Sequence, residues 1–179
     1  MLPGAAFAHV VVTPAKADVG TYVTFNVSVP NEKDVAVTAL KLTIPDGVKS
    51  VTPTSKDGWT ISTQRSGDTV TEIDWTNGAI PSGQRQDFTF SAQAPAKAGD
   101  IHWKAYQSYA DGTVVKWDQT PTTDDSEGED TGPYSITAVA DDLASPVATQ
   151  QTPTNTLALI LSIVAVILSA GSLLIRRRR

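Results

Sequence analysis

Hydrophobic and polar residues alternate along much of the chain between residues 9 and 140. In Thr21–Val29 every second residue is Val or Phe, and the residues between them are Tyr, Thr, Asn and Ser. Val37–Ile44 alternates in the same way. A period of two is typical of a half-buried β-strand. We predict further strands over Trp59–Gln64, Val70–Trp75, Asp87–Ala94, Ile101–Tyr109, Thr113–Asp118 and Tyr134–Val139.

Turn residues separate these strands at regular intervals. Pro45-Asp46-Gly47 follows the second strand, where proline fixes φ and glycine accepts a positive φ. Ala110-Asp111-Gly112 is expected to close a hairpin between Tyr109 and Thr113. Short strands with frequent turns and no helical period predict an all-β domain, a β-sandwich over residues 9–140.

Two segments depart from the strand pattern. Residues 122–132 (TTDDSEGEDTG) are polar and acidic, which predicts a solvated loop. Residues 141–156 are rich in Ser, Thr, Gln, Ala and Pro and show no periodicity. Such a composition favours a semi-extended tether that follows the domain.

The nineteen residues Leu157–Ile175 contain no charged side chain. A helix of this length spans roughly 28 Å, close to the ~30 Å of bilayer hydrocarbon. The segment is apolar on every face, unlike the amphipathic helices of a small soluble core, so we predict a transmembrane helix over residues 157–175. Because Arg176–Arg179 follow directly, the positive-inside bias places this basic tail in the cytoplasm and the domain outside the cell membrane.

A domain outside the membrane requires an export signal. Residues 1–8 (MLPGAAFA) are too short for a complete signal peptide, but they end in Ala6-Phe7-Ala8, the A-x-A pattern of a cleavage site. We interpret residues 1–8 as the remnant of a signal peptide and His9 as the mature first residue. The alternative is that the triplet is ordinary sequence.

Charge and composition exclude several classes of function. Because four of the fourteen basic residues are Arg176–Arg179, residues 1–175 carry ten basic against nineteen acidic side chains, a net charge of −9. An acidic domain of this kind lacks the basic surface that nucleic-acid binding requires. The absence of cysteine excludes thiolate chemistry and cysteine-based metal sites. No G-x-S-x-G, H-E-x-x-H or phosphate-loop motif is present.

His9 is the candidate for metal chemistry. If cleavage follows Ala8, this residue offers a free α-amine and an imidazole, and the amine nitrogen and Nδ1 can close a six-membered chelate ring. Nitrogen ligands in a planar arrangement suit Cu(II), which the Irving–Williams order favours among divalent ions. The alternative interpretation is an exposed N-terminal histidine that binds nothing.

Several segments resemble the YcnI-like family of bacterial copper-binding proteins. They are HVVVTP at residues 9–14, VPNE at 29–32, GW at 58–59, WKAYQ at 103–107 and DGTVVKW at 111–117. The resemblance covers roughly residues 9–140. It implies an exported domain, often with a C-terminal membrane helix, folded as an immunoglobulin/fibronectin-type or cupredoxin-like β-sandwich. It also implies a role in copper handling, alongside CopC- and CopD-type partners.

The same resemblance implies a copper site built around a single histidine. His9 would then supply its amine and Nδ1, Glu32 an oxygen ligand, and Trp117 an indole that lies against the metal. A tryptophan face attracts cations and excludes water. Without the resemblance, Glu32 is typical of a surface carboxylate in a turn and Trp117 of a core aromatic.

We therefore predict a membrane-anchored, extracytoplasmic Cu(II) metallochaperone without enzymatic activity. One alternative is a metal-free adhesion or interaction module, since a β-sandwich on a stalk suits that role. Another is a copper oxidase in which a second histidine completes the site. His102 is the only candidate, and we expect it to face solvent on the same side of its strand as Lys104 and Tyr106.

Overall fold

The computed structural model describes residues 9–122 and 130–141, which belong to one compact unit of the chain. The predicted signal remnant (1–8), most of the tether (142–156), the transmembrane helix (157–175) and the basic tail (176–179) lie outside the described residues. Within the described part, no helix is both long and apolar enough to cross a membrane. The membrane anchor accordingly stays a prediction.

Thirteen strands are present in the described residues. They are β1 Val11–Thr13, β2 Lys16–Asp18, β3 Tyr22–Pro30, β4 Val37–Thr43, β5 Lys49–Pro53, β6 Thr60–Ser66, β7 Thr69–Thr76, β8 Arg85–Gln93, β9 Gly99–Trp103, β10 Ala105–Tyr109, β11 Val114–Gln119, β12 Thr131–Pro133 and β13 Ser135–Ala140.

The strands form three sheets. The first has the order β1-β3-β8-β5, the second β12-β11-β10-β4-β7-β6, and the third β2-β13-β9. The longest ladder joins β3 to β8 in antiparallel register from Tyr22 and Gln93 to Pro30 and Arg85. The Val and Phe residues of β3 that the alternation assigns to one face are buried from Phe25 onwards. The all-β prediction is confirmed.

Aromatic side chains from different sheets meet in the core. The ring of Phe25 (β3) lies 4.9 Å from that of Trp103 (β9), and Trp75 (β7) lies 5.4 Å from Phe88 (β8), measured between ring centroids. The indole Nε1 of Trp103 donates to Thr137 Oγ1 at 3.0 Å, so this buried donor keeps a partner. Contacts of this kind fix the sheets against one another.

The predicted hairpin joins β10 to β11. Tyr109 N donates to Thr113 O at 2.9 Å, and Gly112 adopts a φ of 86°, which glycine tolerates without strain. The Asp111 carboxylate accepts hydrogen bonds from the backbone N–H and the hydroxyl of Thr113, and these bonds lower the pKa of Asp111. The hairpin places Trp117 opposite Ala105.

The structure corrects two predicted boundaries. Ile101–Tyr109, predicted as one strand, divides at Lys104 into β9 and β10, which belong to different sheets. The predicted loop at residues 122–132 extends too far, because Thr131 and Gly132 belong to β12 and pair in parallel with β11. The short strands β1, β2, β5 and β12 were not predicted, since three to five residues are too few to establish a period of two.

Candidate metal centre

His9 and Trp117 are in ring contact at one edge of the sandwich. Their ring centroids are 5.6 Å apart, and the ring planes are inclined at 55°. His9 is half-buried, whereas Trp117, on the inward face of β11, is only 7% exposed. The structure therefore brings together two of the three residues predicted for the site.

The residues that follow His9 are firmly held. Val10 is 3% exposed, and β1 pairs with β3 through Val12 opposite Val27. The Ser135 hydroxyl accepts a hydrogen bond from the Val12 N–H at 2.9 Å and donates one to the Val12 carbonyl at 3.5 Å. Strand β1 is thus paired on one side and bonded to β13 on the other, which fixes the position of His9.

Trp117 has close neighbours at its ring nitrogen and at its six-membered ring. Its Nε1–H donates to Gln107 Oε1 at 3.1 Å. The backbone of Gly132, opposite Trp117 on β12, lies so close that a Cβ at position 132 would stand 2.5 Å from Trp117 Cζ3. Glycine is required there because the indole occupies the space that any larger residue needs.

Gln107 connects Trp117 to the segment that carries Glu32. Gln107 is fully buried, and its Nε2 donates to the Pro30 carbonyl at 2.6 Å. Pro30 ends β3 and precedes Asn31 and Glu32 in the chain. One buried amide thus contacts two of the segments that supply the predicted site residues.

Glu32 lies in a turn that Asn31 holds rigid. The Asn31 side chain is 2% exposed, and its Nδ2 donates to the carbonyls of Val35 and Ile80, each at 2.8 Å. Its Oδ1 accepts from the Lys33 N–H at 3.0 Å. Glu32 itself is exposed. The role of Glu32 as a metal ligand stays a prediction.

The pKa of Tyr109 reports the negative charge of Glu32 and its neighbours. Burial of Tyr109, followed by the negative charges of Glu32, Asp130 and Asp111, raises the pKa of its hydroxyl to about 12. The Lys33 ammonium lies 5.0 Å from the Tyr109 ring centroid and 2.6 Å from an Asp130 carboxylate oxygen. Three carboxylates and one ammonium therefore surround this ring, which leaves the region with net negative charge.

The second histidine lies in another sheet. His102 is exposed on β9, where its ring stacks on that of Tyr134 at 4.5 Å and 21°. Its exposed position confirms the prediction from the strand pattern.

A family model described as a domain of unknown function (DUF1775) matches residues 9–136. The chain belongs to the DUF1775 family. The match begins at His9 and includes Glu32 and Trp117. It confirms the family that the motifs of the sequence predict.

Two relatives place the DUF1775 domain among known proteins. The copper-binding protein CutI of Bacillus subtilis (strain 168) is 36% identical over 189 residues, which cover 97% of this chain and 88% of the relative. An uncharacterized protein from Nocardia farcinica with an immunoglobulin-like fold is 31% identical. That comparison has a TM-score of 0.64 and covers 74% of this chain and 98% of the Nocardia chain. The immunoglobulin-like β-sandwich is thereby confirmed for this DUF1775 domain.

Five neighbours of the candidate site residues of this DUF1775 domain were not predicted from the sequence. Gln107 and Gly132 lie against Trp117. Tyr109, Lys33 and Asp130 lie in the charged region that includes Glu32. Of these residues, only Gln107 could have been noticed in the sequence, because a polar glutamine occupies an inward-facing position of β10. Within residues 9–122 and 130–141, no three His, Cys, Asp or Glu side chains come together in a group that could hold a metal. The predicted ligand set includes only two such side chains, His9 and Glu32, with the α-amine of His9 as a further donor.

Proposed function

We propose that this chain is a Cu(II)-binding protein whose site consists of His9, Glu32 and Trp117. The observation that carries the proposal is the contact between the His9 and Trp117 rings, 5.6 Å apart. The similarity to a protein named for copper binding over 97% of the chain supports it.

The chemistry of the donors suits copper. In a chain that begins at His9, the α-amine and Nδ1 are two nitrogen donors that close one chelate ring, the arrangement that Cu(II) prefers. An α-amine ordinarily has a pKa of about 7.7–8.0, so it loses its proton to a metal at little cost near neutral pH. Signal cleavage after Ala8 is thus a condition of the proposed site.

Trp117 and Glu32 complete the donor set in different ways. The indole ring of Trp117 attracts a cation through its π face and keeps water from that side. The Glu32 carboxylate supplies an oxygen ligand and a negative charge, and Asp130 and Asp111 add to the negative potential near Tyr109. Such a potential favours a divalent cation over an anion.

Binding without catalysis is the function that this arrangement favours. An oxidase built on an N-terminal histidine needs a second histidine at the metal, and the ring of His102, the other histidine of the chain, stacks on Tyr134. A tryptophan face beside the metal also occupies space that an oxygen molecule requires. We infer that the protein holds copper and transfers it, as a metallochaperone.

The predicted membrane anchor gives this metallochaperone its location. A helix over residues 157–175 and the arginine tail hold the domain at the outer face of the cell membrane, with the C-terminus in the cytoplasm. Copper is then received outside the cell and delivered to CopC- or CopD-type partners at the same surface. Protease treatment of intact cells that spares the domain would contradict this topology.

The decisive experiment compares two N-termini. One preparation begins at His9, and the other carries one additional residue before it, which removes the free amine of His9 but leaves its imidazole. We expect the first to bind one Cu(II) with an electron paramagnetic resonance spectrum typical of nitrogen ligation, and the second to bind at least about tenfold more weakly. Equal affinities and spectra would contradict the proposal. Oxygen consumption with ascorbate above that of free copper would favour an oxidase instead.

A further inference from the structure

Gln107 occupies a position that apolar side chains ordinarily fill. It is fully buried on β10, between the inward-facing residues Ala105 and Tyr109. Burying an amide is tolerated only where its polar atoms are hydrogen-bonded, since each unpaired group loses its hydrogen bonds to water without compensation. A polar residue in an apolar row often marks a functional requirement. The two bonds of this amide therefore indicate what it does.

The chemistry of its partners fixes how Gln107 is oriented. Trp117 Nε1–H is only a donor and the Pro30 carbonyl is only an acceptor, so Oε1 must face Trp117 and Nε2 must face Pro30. The corresponding distances are 3.1 Å and 2.6 Å. No other rotation of the amide satisfies both partners.

We propose that Gln107 is a positioning residue of the copper site, which holds the Trp117 indole in the orientation that faces His9. This inference rests on the proposed function. The hydrogen bond from Nε1 limits rotation of the indole within its own plane, while the backbone of Gly132 limits its tilt. The ring is thus in place before copper arrives, and binding does not have to bear the cost of ordering it.

The two bonds of Gln107 do not contribute equally to the site. The turn that carries Glu32 is also held by Asn31, whose side chain bonds to Val35 and Ile80. Trp117, in contrast, has one polar group, and Gln107 accepts its hydrogen bond. Loss of Gln107 therefore displaces Trp117 more than Glu32.

The test uses the chain from His9 to Arg179 in mild detergent. Gln107→Met keeps nearly the same volume but removes both hydrogen bonds. We expect its dissociation constant for Cu(II) to rise about tenfold, as a misaligned cation–indole contact implies. Copper should also quench the emission of Trp117 less than in the unaltered chain. In a Trp117→Phe background, Gln107→Met should add no further loss, because the N–H that it orients is absent.

Gln86 provides a matched control. Its Oε1 accepts a hydrogen bond from Trp59 Nε1 at 2.9 Å, so Gln86→Met also removes the acceptor of an indole, but of one outside the proposed site. We expect Gln86→Met to change the copper dissociation constant less than about twofold. Equal losses in the Gln107→Met and Gln86→Met chains would assign Gln107 a role in general stability and overturn the inference.

A measurement on the unaltered chain covers the case in which Gln107→Met does not fold. In nuclear magnetic resonance spectra, the indole N–H signal that disappears in Trp117→Phe should exchange slowly with solvent and broaden on addition of Cu(II). Fast exchange would show that the bond to Gln107 is not formed and overturn the inference. If the unaltered chain binds no copper, the proposed function fails as well; if it binds copper but the indole N–H of Trp117 exchanges fast, only the inference fails.

Discussion

Gly132 and Trp117 are packed so closely that no side chain fits between them. A Cβ at position 132 would stand 2.5 Å from Cζ3 and 2.6 Å from Cε3 of the indole. Because the neighbours of Trp117 include Gln107 and His9, the ring cannot move away from Gly132 without changing its contacts with those two residues. The absence of a side chain at position 132 thus helps to place the face of Trp117.

Gly132→Ala is expected to displace Trp117 and weaken copper binding. Overpacking of this kind lowers the free energy of unfolding by about 1–3 kcal/mol, which urea denaturation would measure. Gly78→Ala is the matched control, since a Cβ there would stand 2.1 Å from the Trp59 ring. Both variants should lose stability, but only Gly132→Ala should raise the dissociation constant for Cu(II). Equal copper affinities in the two variants would contradict the role assigned to Gly132.

Asn31→Asp is expected to destabilise the turn that carries Glu32. The Asn31 amide donates to two carbonyl oxygens, and a carboxylate cannot donate in its place. Leaving buried acceptors unpaired and placing a charge beside them should lower the free energy of unfolding by about 3 kcal/mol or more. Asp34→Asn, an exposed change in the same segment, should alter it by less than about 0.5 kcal/mol. Urea denaturation of both variants distinguishes these outcomes.

The strands that the sequence predicts correctly are the ones long enough to show a period of two. Three predicted strands end within two residues of the observed strand ends: Thr21–Val29, Val37–Ile44 and Asp87–Ala94. Their alternation is clear because one face of each strand is buried. The alternation of Ile101–Tyr109 continues across Lys104, so the pattern does not reveal the change of sheet at that residue. The partner of a strand is a long-range property that local alternation does not contain.

The site could be predicted only as far as its residues carry recognisable chemistry. His9 was a candidate from the cleavage pattern and its own donor atoms, and Glu32 and Trp117 were identified through the family resemblance. The structure brings His9 and Trp117 into contact. Gly132 could not be predicted, because its role arises from parallel pairing of β12 with β11. Strand β12 begins at the end of the acidic segment, residues 122–132, whose composition predicted only a loop.

Tyr109 provides a test of where Glu32 lies. Burial and the charges of Glu32, Asp130 and Asp111 raise the pKa of Tyr109 to about 12, above the value of about 10 in the unfolded chain. The unfolded state therefore loses this proton first, so the stability that the neutral hydroxyl contributes is present below pH 10 and is lost between about pH 10 and 12. The free energy of unfolding of Tyr109→Phe, measured by urea denaturation, should fall less steeply between pH 10 and 12 than that of the unaltered chain.

Removing the charge of Glu32 should lower the pKa of Tyr109, because a neighbouring negative charge disfavours the phenolate. Absorbance at about 295 nm follows phenolate formation, and the difference between the native chain and Tyr109→Phe isolates this residue. In Glu32→Gln, the titration of the Tyr109 hydroxyl should move to lower pH. An unchanged titration would place Glu32 too far from Tyr109 to act on it and would remove the structural support for its position.

Glu32→Gln is also expected to weaken copper binding while leaving the fold intact. The amide keeps the shape of the side chain but removes its charge, so the dissociation constant for Cu(II) should rise by at least about tenfold, the loss that follows from changing even indirect partners of metal ligands. Because Glu32 is exposed, the free energy of unfolding should change by less than about 0.5 kcal/mol. Asp34→Asn removes one charge two residues away and should alter copper affinity less than about threefold, as a screened surface charge does. Equal effects of the two substitutions would show that Glu32 acts through the general field of the surface, and Glu32 would then be removed from the ligand set.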